Sequence, residues 1–126
     1  MAGKPVRPSS MPNPLASPGM KAGDFIFVTG QVGAVDEWGN PITGAEAQTR
    51  QTLKNMKTVL ETAGASMDDV IKTTVFLVRS DDFAAMNKAY VEYFNKDVKP
   101  ARSTVIVAAL ARTDWIVEIE CVAYKP

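Results

Sequence analysis

The residue best suited to chemistry in this sequence is an arginine in the C-terminal quarter of the chain. Arg102 follows Pro100-Ala101 and is the last charge before an uncharged run over residues 103–111. A guanidinium keeps its proton, and its planar donors match a carboxylate through two parallel hydrogen bonds. Two interpretations follow: Arg102 holds the carboxylate of a small ligand, or it forms an internal structural salt bridge.

Two carboxylates stand out in the last apolar segment, which reads Ile116-Val-Glu118-Ile-Glu120-Cys121. Because side chains alternate across a strand, Glu118 and Glu120 share one face. Burial and a like-charged neighbour both raise the pKa of a carboxyl, so such a group can exchange protons near neutral pH. The alternative is that these charges protect an edge strand from aggregation.

Three further residues give weaker signals. Thr29 precedes Gly30 at the end of a predicted strand, where the glycine permits close approach and the threonine offers a hydroxyl. Asn87 lies on a predicted helix, where asparagine is most often solvated. The single cysteine, Cys121, has no cationic neighbour in sequence, which predicts an inert core thiol.

The composition excludes several classes of function. The chain has no histidine and one cysteine. This excludes Ser-His-Asp and Cys-His triads, His-ligated zinc, and an internal disulfide. Lys+Arg and Asp+Glu both number 14, so the net charge is zero. The broad basic field of a nucleic-acid binder is absent, and we predict no nucleic-acid partner.

The elements that must position these residues form one domain of 126 residues. Five of the eight prolines precede Gly19, which predicts an extended or irregular arm over residues 1–22 and a folded domain over 23–126. Strands are predicted at 24–29, 31–35, 69–78, 103–110 and 115–124. Helices are predicted at 43–63, with a Thr43/Glu46 capping box and a stop at Gly64, and at 81–95, capped by Ser80.

The predicted strands at 69–78 and 103–110 are largely apolar on both faces. A strand buried on one side only should alternate with polar residues. Two helices can cover one face of such a sheet, and a chain this short has nothing left for the other. We therefore predict a homo-oligomer that packs sheet faces together, the alternative being a mildly apolar exposed face.

The sequence offers no sign of membrane insertion or export. No run reaches the roughly 18–20 apolar residues of a spanning helix. No apolar core of a secretory signal follows the first ten residues. With no disulfide, the predicted location is cytoplasmic, without a membrane partner.

Together these residues resemble the RidA family of reactive-intermediate deaminases, also called YjgF-like proteins. The similarity covers residues 23–123, and the pairing of the PARS and EIE motifs is specific to the family. The matching segments are Pro100-Ala-Arg102-Ser103, Ile116-Val-Glu118-Ile-Glu120, Thr29-Gly30-Gln31, residues 45–64, Val70-Ile-Lys-Thr-Thr-Val75, and Asp82-Phe83 with Asn87 and Tyr90.

The resemblance implies a fold and an activity. The fold is α+β and chorismate-mutase-like, with a mixed five- to six-stranded sheet, two helices on one face, and a homotrimer whose sheets form a central barrel. The sites would lie between subunits. Catalytic members hydrolyse 2-imino and enamine acids to 2-oxo acids and ammonia, without cofactor or metal.

The resemblance also carries roles onto this sequence. The carboxylate-binding arginine falls on Arg102, the water-handling glutamate on Glu118, the hydroxyl-bearing residue on Thr29, and the helix asparagine on Asn87. Thr104 stands where the family has a cysteine, and the backbone near it would contact the imine nitrogen.

Two departures leave alternatives open. The family's tyrosine near the chain start aligns with Ala16, and its cysteine is Thr104. One alternative is a non-catalytic trimeric binder of small carboxylate metabolites. Another is a deaminase of a longer enamine acid such as 2-aminomuconate, for which Ala16 would leave room.

Overall fold

A computed structural model describes residues 2–126 and contains a mixed six-stranded sheet with two α-helices. The strands are β1 (Lys4–Val6), β2 (Gly19–Ala22), β3 (Phe25–Val32), β4 (Val70–Leu77), β5 (Ala101–Ile106) and β6 (Val117–Tyr124), and the helices are α1 (Ala45–Thr62) and α2 (Phe83–Tyr90). The sheet order is β1-β2-β3-β6-β4-β5. The β4–β5 pair is parallel and the other neighbours are antiparallel. This confirms the predicted α+β sheet with two helices.

The core lies between the helices and one face of the sheet. β6 alternates strictly, so that one set of its side chains is buried and the other, which includes Glu118 and Glu120, points away. The apolar row of α1 packs on the buried face. The members of this core are Val117, Ile119, Cys121 and Ala123 of β6, and Leu53, Met56, Val59 and Leu60 of α1.

The opposite face of the sheet, which we call the open face, carries exposed apolar side chains. Phe25 and Phe27 of β3, Val105 of β5 and Tyr124 of β6 are between 41% and 49% exposed. The strand registers place these residues on the same side as Glu118. No helix of the described residues covers this face, so the sheet carries apolar side chains on both sides, as the sequence indicated.

The strands β1 and β2 were not predicted, and two of the predicted strands have different bounds in the structure. Residues 25–32 form one strand through Gly30, with an irregularity between Val28 and Gln31, rather than two strands. β5 begins at Ala101 and ends at Ile106, whereas the sequence predicted 103–110. The prediction followed hydrophobicity, but strand pairing depends on the neighbour, and β4 ends at Leu77, opposite Ile106.

The helix ends also required correction. The predicted stop at Gly64 is confirmed, with φ of +84°. The Thr43 capping box is not formed: Gly44 is the N-cap, and Glu46 instead pairs with Arg50 at 3.1 Å. Ser80 begins a short 3-10 turn, and α2 ends at Tyr90 rather than near residue 95. The chain tightens there through i→i−3 hydrogen bonds.

Part of the proline-rich segment is ordered in the sheet. β1 pairs with β2, and β2 pairs with β3 in an antiparallel register. The amide of Thr29 also donates to the carbonyl of Pro18 at 2.9 Å. Pro5 is tolerated in the sheet because β1 is an edge strand, and the other four prolines of this segment lie outside the strands. The division into an arm over 1–22 and a domain over 23–126 stays a prediction.

Neither helix of the described residues combines the length and apolar character that a membrane crossing requires.

Candidate active site

Arg102 lies on the helix side of the sheet and is held by α2. Its backbone pairs with Thr73 of β4, a fully buried residue of the core face. Its Nη1 donates to Oδ1 of Asn87 at 2.8 Å. Its guanidinium carbon lies 4.8 Å from the ring centroid of Tyr90 and 5.8 Å from that of Phe83. The structure therefore brings two predicted site residues, Arg102 and Asn87, into contact.

The aromatic ring beneath the guanidinium is itself fixed. The hydroxyl groups of Tyr90 and Thr73 form a hydrogen bond of 2.8 Å inside the core. Burial of Tyr90 raises the pKa of its phenol, and the hydrogen bond with Thr73 opposes this. Because Thr73 is adjacent to Arg102 in the sheet, the side chains of Thr73 and Tyr90 together form one continuous support for the cation.

Arg102 has no carboxylate partner within the described residues, whereas other arginines do: Arg50 contacts Glu92 at 2.6 Å and Arg79 contacts Asp81 at 3.3 Å. The internal salt bridge considered for Arg102 is therefore not observed. The guanidinium instead lines an open cavity of about 360 Å³ at the junction of α2 and β5. An anion can reach it there.

Thr104 lies two residues beyond Arg102, on the same side of β5. Its hydroxyl oxygen is buried and has no hydrogen-bond partner. A buried polar atom without a partner costs free energy, on the order of 1–3 kcal/mol, unless a ligand or water completes it. Thr104 does not line the cavity beside Arg102, so within one chain its hydroxyl is a buried group without a partner and not a contact to that space.

Glu118 lies on the open face, opposite Phe76 of β4 and Val32 of β3. Its carboxylate covers Gly30, where any Cβ would overlap it. Thr29 and Gly30 form the irregularity in β3, and Thr29 is exposed. Burial raises the pKa of the Glu118 carboxyl, and the negative charge of Glu120 raises it further.

The predicted site residues thus form two groups on opposite faces of one sheet. Arg102, Asn87 and Thr104 lie on the helix side, and Glu118 and Thr29 lie on the open face. Within a single chain, Arg102 and Glu118 cannot contact the same small molecule, because the sheet separates them.

The open-face group has cavities of its own. Cavities of about 290 and 240 Å³ flank Thr29 and Gly30. Ser17, next to Ala16, lines the larger one, together with Glu120. Ala16 itself is exposed, and its amide donates to Asn13 in a turn.

Cys121 is buried in the core. Burial raises the pKa of its thiol to about 12, and the charge of Glu120 adds to this. A thiol with so little thiolate is unreactive, as the sequence indicated.

The sequence did not single out Lys99 or the support that Tyr90 gives to Arg102. Lys99 lines the same cavity as Arg102, and its nearness to that arginine in sequence was an available signal. Tyr90 was named in the sequence only as part of a segment that matches the family, without a role, because periodicity cannot reveal which strand residue its ring will meet.

Comparison with known proteins assigns this arrangement to a family. The family model described as Endoribonuclease L-PSP matches residues 9–125. A RutC family protein of Pyrococcus horikoshii is 45% identical over 125 residues, which is 98% of this chain and 92% of the relative. The chloroplastic Reactive Intermediate Deaminase A of Arabidopsis thaliana is 42% identical over 108 residues, covering 85% of this chain and 57% of that protein.

A solved structure gives the same result for the fold. The crystal structure of the YjgF gene product from E. coli superposes with a TM-score of 0.88 at 34% identity, covering 98% of this chain and 99% of that one. The fold and the two groups of residues define a class of small α+β proteins that are built on a single mixed sheet. The chain belongs to the RidA/YjgF family, as the sequence motifs indicated.

Proposed function

We propose that this protein hydrolyses reactive 2-imino and enamine acids to 2-oxo acids and ammonia, without a cofactor, in clefts between the subunits of a homotrimer. One observation carries the proposal: Arg102 is a positioned guanidinium without an internal carboxylate, facing an open cavity. The name of the Arabidopsis relative, a reactive intermediate deaminase, supports the same chemistry.

In this mechanism Arg102 binds the substrate carboxylate. Asn87 and Tyr90 hold the guanidinium, which leaves its remaining donors for a paired interaction with the two carboxylate oxygens. This contact fixes the carbon next to the carboxylate, which is the carbon that must be attacked. Positioning of this kind can supply several kcal/mol of a barrier, as oriented intramolecular reactions demonstrate.

Glu118 is the base that prepares the attacking water. Its carboxyl has a raised pKa, so the carboxylate is a better proton acceptor than an exposed glutamate. It takes one proton from water while the oxygen bonds to the C=N carbon. The protonated Glu118 then passes that proton to the nitrogen. This gives an adduct with a hydroxyl and an amino group on the same carbon. Glu118 then takes the proton of that hydroxyl and delivers it to the nitrogen, so that the C–N bond breaks, ammonia leaves, and the hydroxyl oxygen becomes the carbonyl oxygen. An enamine substrate must first gain a proton at carbon to become the imine.

The separation of Arg102 and Glu118 supports the trimer. If both residues act on one molecule, the second residue must come from a neighbouring copy of this chain. The open face offers the apolar surface that such an association would bury, including Phe27 and Val105. One assembly would therefore bury the apolar surface of the open face and also bring the two groups of site residues together.

The test is substitution of the proposed anchor. Arg102→Ala should lower ammonia release from freshly generated 2-iminobutanoate at least about 30-fold, because a charge-assisted hydrogen bond contributes roughly 2 kcal/mol or more. Arg79→Ala is the matched control: Arg79 is exposed and pairs only with its near neighbour Asp81 among the described residues.

The outcomes separate the candidate functions. Light scattering must give the same mass for Arg102→Ala, Arg79→Ala and the unaltered protein, so that a loss reflects the anchor alone. Full activity in Arg102→Ala would contradict the proposal. Binding of 2-oxobutanoate without turnover of any imino acid by the unaltered protein would favour the non-catalytic binder, for which Ala16 in place of tyrosine and Thr104 in place of cysteine are the motivating features.

Cleavage of RNA, which the description of the family model names, has less support here. The chain has no histidine, its net charge is zero, and two carboxylates lie in the open-face group. Deamination of a longer enamine acid such as 2-aminomuconate remains within the proposed chemistry, and the feature that favours it is the small side chain of Ala16 where the family has a tyrosine.

A further inference from the structure

The cavity beside Arg102 has a second cation in its wall. Lys99 precedes Pro100 at the entry to β5 and lines the same 360 Å³ space. Asn87, Tyr90 and Phe94 contribute other parts of the wall, and the cavity has no carboxylate in its lining. Arg102 and Lys99 thus place two positive charges in the wall of this cavity, while Asp68 and Asp97 line a neighbouring cavity that Lys99 also borders.

Lys99 is not neutralised by the described part of the chain. Two lysines near it in sequence have acidic partners: Lys88 contacts Glu46 at 3.5 Å, and Lys96 contacts Asp68 at 2.5 Å. Lys99 forms no such pair within residues 2–126 and donates only to the backbone carbonyl of Lys96. An ammonium group has three donors, so two are left for a ligand.

The two cations differ in how they are held, which suggests different roles. Arg102 is half-buried and fixed by Asn87 and Tyr90, as an anchor for the reacting end of a substrate must be. Lys99 is exposed at the rim on a flexible stem and can follow ligands of different length. The buried ring of Phe94 lies in the wall of the same cavity and suits a short hydrocarbon chain.

We propose that Lys99 makes this protein select 2-imino and enamine acids that carry a second acidic group at the end remote from the reacting carbon. This inference rests on the proposed function and specifies its substrate class. The carboxylate next to the imine is bound by Arg102, and the remote one is bound by Lys99. The reaction is unchanged: water adds to the C=N carbon and ammonia leaves, giving a 2-oxo dicarboxylic acid.

The experiment compares two four-carbon substrates that differ in the remote group. An amino-acid oxidase acting on 2-aminobutanoate supplies 2-iminobutanoate, and one acting on aspartate supplies 2-iminosuccinate. The quantity measured is the ratio of kcat/KM for the dicarboxylate to kcat/KM for the monocarboxylate. This ratio cancels changes in enzyme concentration and in the chemical step that both substrates share.

Three variants test whether the charge of Lys99 sets this ratio. Lys99→Gln should lower it about three- to fivefold, the upper part of the range for losing one ion pair at an exposed site. Lys99→Arg keeps the charge and should preserve the ratio within about twofold. Lys88→Gln removes a neighbouring charge that lies outside the cavity wall and should leave the ratio unchanged. Added salt should reduce the preference of the unaltered protein, because Lys99 is exposed.

The failures of the two proposals are distinguishable. If 2-iminobutanoate is hydrolysed and Lys99→Gln has the same ratio as the unaltered protein, the inference about Lys99 is wrong and the deaminase function stands. If the unaltered protein hydrolyses neither substrate, the proposed function is wrong and the inference fails with it. An equal fall of the ratio in Lys88→Gln would also overturn the role of Lys99, because it would assign the effect to overall charge.

Discussion

At the scale of single residues, environment decides which charged groups can do chemistry. Arg50 and Arg102 are both arginines near α2, but Arg50 is occupied by Glu46 and Glu92, while Arg102 contacts an amide and two aromatic rings. The same contrast separates Glu120, which is exposed, from Glu118, whose carboxyl has a pKa raised by burial. Among the arginines the candidate is the one without a carboxylate partner, and among these two glutamates it is the one that is partly buried.

The raised pKa of Glu118 leads to a prediction about pH. As a base, Glu118 must be deprotonated, so kcat/KM falls as the pH drops through its pKa. Glu120→Gln removes the neighbouring negative charge that helps to raise this pKa. The acidic limb of the pH profile should therefore move to lower pH in Glu120→Gln.

The measurement is kcat/KM from about pH 4 to 8 for Glu120→Gln and for a control, Glu37→Gln, which alters an exposed carboxylate in a turn. An acidic limb that stays in place, or moves to higher pH, would count against Glu118 as the base.

At the scale of elements, the helix–strand contact between α2 and β5 positions the anchor. β5 is an edge strand with one neighbour, so its side chains are less constrained than those of β4. Tyr90 compensates for this: its ring lies 4.8 Å from the guanidinium carbon of Arg102, and its hydroxyl bonds to Thr73 at 2.8 Å. The helix thereby ties the edge strand to the core.

This support predicts a graded effect of substitutions at Tyr90. Tyr90→Phe keeps the ring and should raise KM for an imino acid by less than about threefold. Tyr90→Leu removes the ring and should raise KM about 5- to 30-fold, since a cation–π contact contributes roughly 1–2 kcal/mol at a partly desolvated site. Because Tyr90 positions Arg102, KM should change more than kcat.

Thermal unfolding of both Tyr90 variants provides the control for stability, because Tyr90 is buried and packs against Phe94 at a ring separation of 4.7 Å. Equal KM values for Tyr90→Phe and Tyr90→Leu would indicate a packing role without influence on Arg102.

At the scale of the whole molecule, the sheet positions the site residues and also separates them into two groups on its opposite faces. Arg102 lies on one face and Glu118 on the other. The proposed reaction therefore requires at least two chains, and the exposed apolar residues of the open face give them a reason to associate. Activity and assembly should consequently be inseparable.

A mixing experiment tests this directly. Arg102→Ala and Glu118→Gln chains are each expected to be inactive alone. If a site takes its arginine from one chain and its glutamate from the next, co-assembly of equal amounts leaves about a quarter of the sites with both native residues, by random combination in a closed ring. Ammonia release should then recover to about a quarter of the unaltered value.

Light scattering of the same samples should give three times the chain mass of 13.6 kDa. As the control, each variant is taken alone through the same co-assembly procedure, and each should stay inactive. No recovery in mixed trimers would contradict a shared site, and a monomeric mass would contradict the trimer itself.

The sequence alone determined the order of the main elements, because periodicity and glycine stops are local properties. Strand alternation predicted that Glu118 and Glu120 share one face of β6, and Gly64 ended α1 as expected. The motif around Arg102 and the Glu118-Ile-Glu120 pair indicated the family and the candidate site residues, because these residue types occur close together along the chain.

Tertiary structure decided what depends on residues distant in the chain. The position of α2 decides whether Arg102 meets a carboxylate or an open cavity. Lys99 becomes a candidate binding residue only because it lines that cavity. The faces on which Arg102 and Glu118 lie follow from the register of β4 with β5 and β6, which no local pattern fixes. A sheet one residue out of register would turn the same side chains to the opposite face.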